Sequence, residues 1–484
     1  MTHEDHFIVA IELGSSKITA IAGRKQPDGN ILILAYVQEP SESFIRKGRI
    51  YNFNKTTSCI ESMKHKLEER LNKAIGTTYV GIGGMGLHTV SNTVSRQLSE
   101  KLLITQQMVN SVIDANNATP GNDREILAVV PQDYKLGAQT VADPVGIATE
   151  SIEGHFLNVI ASATMTKDVQ SCFLNAGLRV ESTPISVLSL ADAILTEPEK
   201  RSGCVFVDMG AETTSVAIYK NNVLRHLAVL PLGGASINRD LMGTLQIEDA
   251  EAEALKRKFG TAYRADQGED HAPISLSDGR HVKYDEFSGL VEARVEEIVA
   301  NINNQIALSK HDKTQLIAGI IITGGAAAIK DMDKAIKEYT GIDKIRFVKN
   351  MHLQYRFEDK APHDFNADGS FNAAIALIDK GEVNCCAGDL GDSPTIAAGQ
   401  PAATTAGTTP AGSVITGTTP ATPADAPIVT ADVPATPAEA PEEQPREEKP
   451  KKPNALKKLW SKLSTAAGRL VSEDEDKFPH SNER

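Results

Sequence analysis

Ile11-Glu12-Leu13-Gly14-Ser15-Ser16-Lys17 closes one apolar run near the start of the chain, and Val207-Asp208-Met209-Gly210-Ala211-Glu212-Thr213 closes another in its second half. In both, an acid stands two residues before a glycine, and hydroxyl side chains follow. Each stretch begins a strand, turn and hairpin module. The first starts at Phe7, returns through Ile18 to Gly23, turns at Pro27-Asp28-Gly29 and leaves as Ile31 to Val37. The second starts at Cys204, returns through Ser215 to Tyr219, turns at Asn221-Asn222 and leaves as Val223 to Leu230. Glycine turns let backbone N–H groups approach phosphate oxygens, hydroxyls add donors, and a carboxylate can hold a hydrated magnesium ion. Ordinary turn chemistry explains either loop alone, since hairpin turns favour Gly, Ser, Asn and Asp. The duplication points further, because two such loops face to face would grip one nucleotide. A third element, Ile320-Ile321-Ile322-Thr323-Gly324-Gly325-Ala326-Ala327, precedes an amphipathic stretch from Ile329 to Tyr339. A buried strand that ends in paired glycines and runs into a helix suits close approach to a flat base or sugar.

The order phosphate loop, phosphate loop, adenosine loop resembles the actin and sugar-kinase ATPase superfamily. Finer matches make the chain similar to the FtsA family of bacterial cell-division proteins: Lys47-Gly48-Arg49-Ile50, Val130-Pro131-Gln132-Asp133-Tyr134, Asp143-Pro144-Val145-Gly146, Leu224-Arg225-His226 and Leu230-Pro231-Leu232-Gly233-Gly234. The resemblance covers roughly residues 5–385, with the C-terminal helix as a further match. It implies an α/β, actin-like two-domain ATPase fold with an FtsA-type inserted subdomain, then a disordered linker and a C-terminal amphipathic helix. It also implies ATP with Mg2+ as the ligand. The nucleotide would lie against Gly14, Ser15, Ser16, Lys17, Gly210, Ala211, Thr213, Gly233, Gly234, Gly324 and Gly325. Glu12 and Asp208 would serve as the catalytic acids and hold the metal through water.

Composition fits a cytosolic globular protein with a disordered arm. The 484 residues are ample for two domains and sizeable cores. The five cysteines, Cys59, Cys172, Cys204, Cys385 and Cys386, have neither metal-ligand spacing nor a disulfide framework, which suits a reducing compartment. No run of about 18 apolar residues is present, and Met1 to His6 is polar, so neither a transmembrane helix nor a secretory signal is read. The formal charge of −13 argues against a general nucleic-acid surface.

Residues 1–86 read as the first part of subdomain IA, with an amphipathic helix from Lys55 to Ala74 and a strand from Tyr79 to Ile82. The cluster Gly83-Gly84-Met85-Gly86 lacks a following Gly-Lys-Ser and reads as a tight exit into an inserted unit. That unit, 87–166, shows strands at Leu87 to Ser95, Glu125 to Tyr134 and Phe156 to Ala163, and a helix at Gln106 to Asn117. It looks like the subdomain IC of the family, which serves filament contacts and divisome partners. Met165 to Gly177 reads as a helix returning to IA over 167–200, and 201–385 as subdomains IIA and IIB. Helices are expected at Asp249 to Phe259 and Phe287 to Leu308. On the first, Glu253 and Lys256 form an i, i+3 pair, usually a solvated face. Related ATPases place a Glu-x-x-Lys pair on the adenosine, so both residues join the nucleotide site on resemblance. Arg294 on the second helix is the candidate contact for the C-terminal peptide of FtsZ, a partner the resemblance implies.

From 386 to 452 the chain is rich in Pro, Ala, Thr and Gly and reads as a disordered linker. As a flexible coil it spans roughly 45 Å r.m.s.. Over 453–472, Leu456, Leu459, Trp460, Leu463, Ala467 and Leu470 fall on one side of a helix, with Lys457, Lys458 and Lys462 elsewhere on the wheel. A basic amphipathic helix with no core to join suits an anionic membrane surface. The polar tail 473–484 opens with Glu473-Asp474-Glu475-Asp476, which such a surface repels.

These features together read as an actin-like ATP-binding cell-division protein. It would polymerise, tether FtsZ filaments to the cytoplasmic face of the inner membrane at the septum, and recruit other divisome proteins. The superfamily's second phosphate loop commonly reads Asp-x-Gly-Gly-x-Thr, whereas Ala211 and Glu212 follow Gly210 here. A carboxylate there repels phosphate unless it turns away or meets magnesium. Glu12 also replaces the commoner aspartate, so weak or no ATPase activity is expected. The alternatives are a nucleotide-binding adaptor similar to PilM and a sugar kinase or phosphatase of the same superfamily.

Overall fold

In the first hairpin, strands Ile8–Leu13, Lys17–Lys25 and Ile31–Pro40 pair antiparallel, with Glu12 opposite Thr19. Thr77–Gly81 then lies parallel to the first strand, with Gly81 beside Glu12. The second hairpin repeats this plan with Cys204–Met209, Thr214–Lys220 and Val223–Leu230. There Gly319–Thr323 is the parallel neighbour, and Thr323 stands beside Asp208. In both halves the acid therefore sits at the end of a central strand, next to a parallel strand that leads into glycines. The computed structural model describes residues 6–118, 123–264, 271–348, 351–357, 365 and 369–389.

The central strands are apolar on both faces because helices cover both sides of each sheet. In the first domain, Phe53–Leu71 buries Ile60, Met63 and Leu67, and Ser186–Ile194 packs with Asn372–Lys380. Asn52 caps the first of these helices by accepting the Lys55 N–H at 3.0 Å. In the second domain, Gly234–Leu245 and Tyr284–Leu308 pack together, the latter burying Phe287, Val291, Val295, Ile298, Ile302 and Ile306.

The inserted unit has its own core, including Val109, Val112, Tyr134, Ile152 and Phe156. Its helix Gln106–Asn117 lies on the strands His88–Leu103 and Ala148–Ser162, and Arg124–Leu136 pairs with the latter. These strands are longer than their apolar periodicity suggests, because their outer halves alternate polar residues toward solvent.

Several boundaries differ from expectation. The first helix ends at Leu71, where Asn72 adopts the left-handed conformation (φ 51°), and Lys73–Ile75 becomes a strand paired with Cys386–Asp389. Residues 201–385 do not all belong to the second domain. Tyr355–Phe357 pairs in parallel with Ile31, Leu32 and Ile33, and Ile375, Leu377 and Ile378 of the helix Asn372–Lys380 are buried in the first core. The helix packs on the strands Ile8–Leu13 and Lys17–Lys25 of the first sheet. The inserted unit is also not separate in its pairing, since His88 pairs with Ala228 and joins its sheet to that of the second domain. The expected linker 386–452, apart from Cys386–Asp389, and the expected helix with Leu456, Leu459, Trp460, Leu463 and Leu470 lie outside the described residues. No described helix is long and apolar enough to cross a membrane.

Candidate functional site

The first loop can close only with glycine at its turn. A Cβ on Gly14 would stand 2.5 Å from the Lys17 carbonyl oxygen and 3.2 Å from Glu12 Oε2. Ser41 Oγ donates to the Gly14 carbonyl at 2.6 Å, the Ser41 N–H donates to the Ser16 carbonyl at 3.1 Å, and Ser15 Oγ accepts the Gly48 N–H at 2.8 Å. The second loop is held by Gly210 N–H to the Thr213 carbonyl (2.8 Å) and by Gly234 N–H to the Gly210 carbonyl (3.0 Å). A Cβ on Gly233 would come within 2.5 Å of the Ala211 carbonyl, so the start of the helix Gly234–Leu245 is laid directly on this loop. The third loop touches the second: Gly324 has φ +95°, and a Cβ there would be 2.3 Å from the Met209 carbonyl and 2.7 Å from Asp208 Oδ1. Gly325 is different, with open space where its Cβ would stand.

The two acids feel one another. Burial pushes the Glu12 carboxyl up to about 7, repulsion from Asp208 adds to that, and Lys17 opposes it. Burial likewise lifts Asp208 to about 6. Two buried carboxylates, one feeling the other's charge, are chemically suited to a hydrated cation, and close glycine backbones suit phosphate oxygens. The residues present fit a magnesium nucleotide.

On the helix Asp249–Phe259, Lys256 is buried and its Nζ donates to the Gly234 carbonyl at 3.1 Å and to Glu253 Oε2 at 2.5 Å. Burial alone would raise Glu253, but hydrogen bonds from Lys256, Arg257 and Asn238 outweigh it and hold the carboxyl at about 2. A Cβ on Gly234 would meet Ala326 Cβ at 3.2 Å and Lys256 Nζ at 3.6 Å, so the Glu253 and Lys256 pair sits beside Gly234, where the helix start also meets the third loop. It is not the solvated face that an i, i+3 pair usually forms. Glu42 of the first domain is raised by burial and by the charges of Asp249 and Glu253, which brings an acid of each domain into one field.

Arg294 has partners of its own. Its guanidinium holds Asp240 in two hydrogen bonds, at 2.6 and 2.9 Å, and also pairs with Glu297. The basic residues Lys457, Lys458 and Lys462 fall outside the described residues.

Sequence reasoning missed two contacts. Glu212 does turn away, and its Oε2 accepts the Lys47 N–H from the first domain at 2.6 Å. Gln132 of the inserted unit accepts from Arg225 Nη1 at 2.8 Å and donates to the Leu224 carbonyl at 3.1 Å. Both join motifs quoted above, but spacing along the chain carries no sign that they meet.

The family model "Cell division protein FtsA" matches residues 205–376, and the model "SHS2 domain inserted in FTSA" matches residues 84–160. The chain is 28% identical over 335 residues to the cell division protein FtsA of Neisseria meningitidis, an alignment covering 68% of this chain and 80% of that one. It is 25% identical over 336 residues to FtsA of Escherichia coli K12, covering 67% and 80%. Among solved structures, the PilM-PilN type IV pilus biogenesis complex shares the fold, with a TM-score of 0.53 at 13% identity over 77% of this chain and 97% of that one. Two matched models that together span about half the residues, the inserted unit in its expected place, and an actin-like pair of hairpins around one cleft agree: the chain belongs to the FtsA family of cell-division proteins.

Proposed function

We propose that the chain binds ATP with magnesium in the cleft between its two hairpins, assembles with copies of itself, and links FtsZ filaments to an anionic membrane surface. The observation that carries the nucleotide reading is the convergence of Glu12, Asp208 and the Gly324 backbone at one point. Glu12 and Asp208 would hold a magnesium ion through its water shell, and the ion would supply charge neutralisation at the phosphates. Gly14, Ser15, Ser16 and Lys17 face one side of the phosphates, and Gly210, Ala211 and Thr213 the other. Gly233, Gly234, Glu253, Lys256, Gly324 and Gly325 frame the nucleoside. Hydrolysis is slow in this reading. The second phosphate loop carries Ala211 and Glu212 after Gly210, and Glu212 is turned away onto the Lys47 N–H, so this loop does not reproduce the commoner Asp-x-Gly-Gly-x-Thr pattern.

Membrane attachment rests on the amphipathic sequence 453–472, and partner recruitment on the inserted unit and the family. A tail peptide approaching Arg294 would have to share a guanidinium already held by Asp240 and Glu297, so the FtsZ contact would rely on charge exchange within that cluster. This localises the protein to the cytoplasmic face of the membrane at the division site. The family assignment favours this reading over a PilM-like adaptor or a sugar kinase.

The test has two arms. Calorimetry with magnesium ATP should give saturable binding at one site. Deleting residues 454–471 should release the chain from anionic vesicles while leaving ATP binding intact. Vesicle binding by the deletion equal to that of the parent would remove the membrane anchor.

A further inference from the structure

Lys47 and Gly48 both adopt the left-handed backbone region, at φ 49° and 72°, just after the short strand Ile45–Arg46. Successive N–H groups in such a turn form a concavity that attracts anions. One acceptor reaches this turn from each phosphate loop: Glu212 Oε2 takes the Lys47 N–H at 2.6 Å, and Ser15 Oγ takes the Gly48 N–H at 2.8 Å. A carboxylate oxygen is the chain's own version of an anionic ligand oxygen, so the turn is seen here with an anion on it.

The same two residues grip the root of the inserted unit. The Met85 N–H donates to the Lys47 carbonyl at 2.8 Å. A Cβ on Gly84 would stand 2.6 Å from both the Lys47 and Gly48 carbonyl oxygens, and one on Gly48 would stand 2.5 Å from Gly84 Cα. The backbones touch with no side chain between them. Anything that shifts the Lys47 peptide therefore moves Gly84 and Met85 with it.

We propose that the Lys47–Gly48 turn is an anion-exchange site: Glu212 fills it in the conformation described, and the terminal phosphate of a nucleoside triphosphate takes its place. The inference rests on the nucleotide reading of the cleft. Glu212 lies two residues beyond Gly210 in the second phosphate loop, and like charges a few ångströms apart in a partly buried cleft repel too strongly to share one pair of donors. A diphosphate leaves Glu212 on Lys47; a triphosphate displaces it and shifts the Lys47 turn, and Gly84 and Met85 with it, which strains the Met85 bond to the Lys47 carbonyl. The site thereby distinguishes the two nucleotides and reports the difference to the inserted unit.

The test uses the full chain with magnesium ATP and magnesium ADP, titrated by calorimetry into the parent, Glu212→Ala and Glu212→Gln, with amide hydrogen exchange followed over residues 83–88. Removing the competing carboxylate should make Glu212→Ala prefer ATP over ADP about tenfold more than the parent does. Glu212→Gln keeps an acceptor without the charge and should fall between them. In the parent, ATP but not ADP should speed exchange over 83–88 several-fold; in Glu212→Ala the same peptide should exchange fast without nucleotide. An unchanged ATP to ADP ratio in both variants, or equal exchange over 83–88 with either nucleotide, overturns the exchange site while the cleft reading stands. Absence of any binding to the parent overturns both. Should Glu212→Ala fail to fold, Glu212→Gln carries the affinity comparison alone.

Discussion

Gly324 and Gly325 are adjacent, yet one should govern folding and the other ligand binding. Gly324 sits at φ +95°, and a methyl there would lie 2.3 Å from the Met209 carbonyl and 2.7 Å from Asp208 Oδ1. The Met209 residue is fixed in the ladder opposite Thr214 and cannot yield. Gly324→Ala therefore incurs a backbone-strain penalty of about 1–3 kcal/mol, since φ 95° with ψ 159° is a region essentially confined to glycine, and an overpacking penalty of about 1–3 kcal/mol. The sum, about 2–6 kcal/mol, lowers Tm by roughly 5–20 °C at the few degrees per kcal/mol expected of domains this size. At Gly325 no atom lies within 4 Å of the Cβ position, so the fold exacts no such penalty. Gly325→Arg should melt within about 2 °C of the parent, and its side chain should abolish ATP binding by filling the space where base or sugar approaches. Differential scanning calorimetry and ATP titration on the same samples separate the two effects. The reasoning is refuted if Gly325→Arg binds ATP with parental affinity, or if it melts as low as Gly324→Ala.

Glu12 has a folded pKa above its unfolded value, so its contribution is fully present below about 4.5 and is lost as pH rises through about 7. Glu12→Gln should accordingly stabilise the nucleotide-free chain at pH 8 by on the order of 1–3 kcal/mol, the gain vanishing toward pH 4.5 in urea melts. Glu253 has the opposite sign: its carboxyl is held at about 2, so its pairing stabilises above about 4.5 and fades as pH falls toward 2. Glu253→Gln should flatten that part of the acid-unfolding curve and weaken ATP binding by freeing Lys256. Arg225→Ala should cost about 1 kcal/mol by leaving Gln132 Oε1 without its guanidinium donor and speed amide exchange in the strand Arg124–Leu136. Unchanged exchange there would show that the contact bears no load.

How legible the fold was depended on how local each signal is. The duplicated hairpins could be read directly, because an acid, a glycine turn and two apolar strands lie within one continuous stretch. The strand and glycine pair at Ile320 to Gly325 was legible for the same reason. The return of Tyr355–Phe357 and Asn372–Lys380 to the first domain was not. A short apolar helix carries no mark of which sheet it covers, and the edge of the first sheet that accepts Tyr355 is set some three hundred residues earlier. The candidate site divides in the same way. Gly14, Gly210 and Gly324 follow from turn chemistry, and Glu253 with Lys256 followed only from family resemblance. Glu212 was visible as an oddity, but its acceptor role depends on Lys47, which only the folded chain brings to it.

The inserted unit shows how a cleft between two domains can be felt outside it. The unit is rooted covalently in the first domain, at Gly83 to Gly86 on one side and Ala163 on the other, yet its polar contacts include the last strand of the second hairpin. The Val229 N–H donates to the Leu87 carbonyl at 3.1 Å, Thr89 Oγ1 both donates to and accepts from Leu227 at 3.2 and 3.0 Å, and Gln132 holds Leu224 and Arg225. In the strand ladder itself, only His88 and Ala228 are paired. A single paired position resists rotation weakly, so these hydrogen bonds set how firmly the unit follows the second domain. At its root Gly84 is packed on the Lys47 and Gly48 carbonyls and the Met85 N–H is bonded to Lys47, so this contact sets how firmly the unit is tied to the first domain. Opening the cleft must therefore either bend that root or shear the contacts along Val223–Leu230. The orientation of the unit is thus tied to the separation of the two hairpins through these contacts.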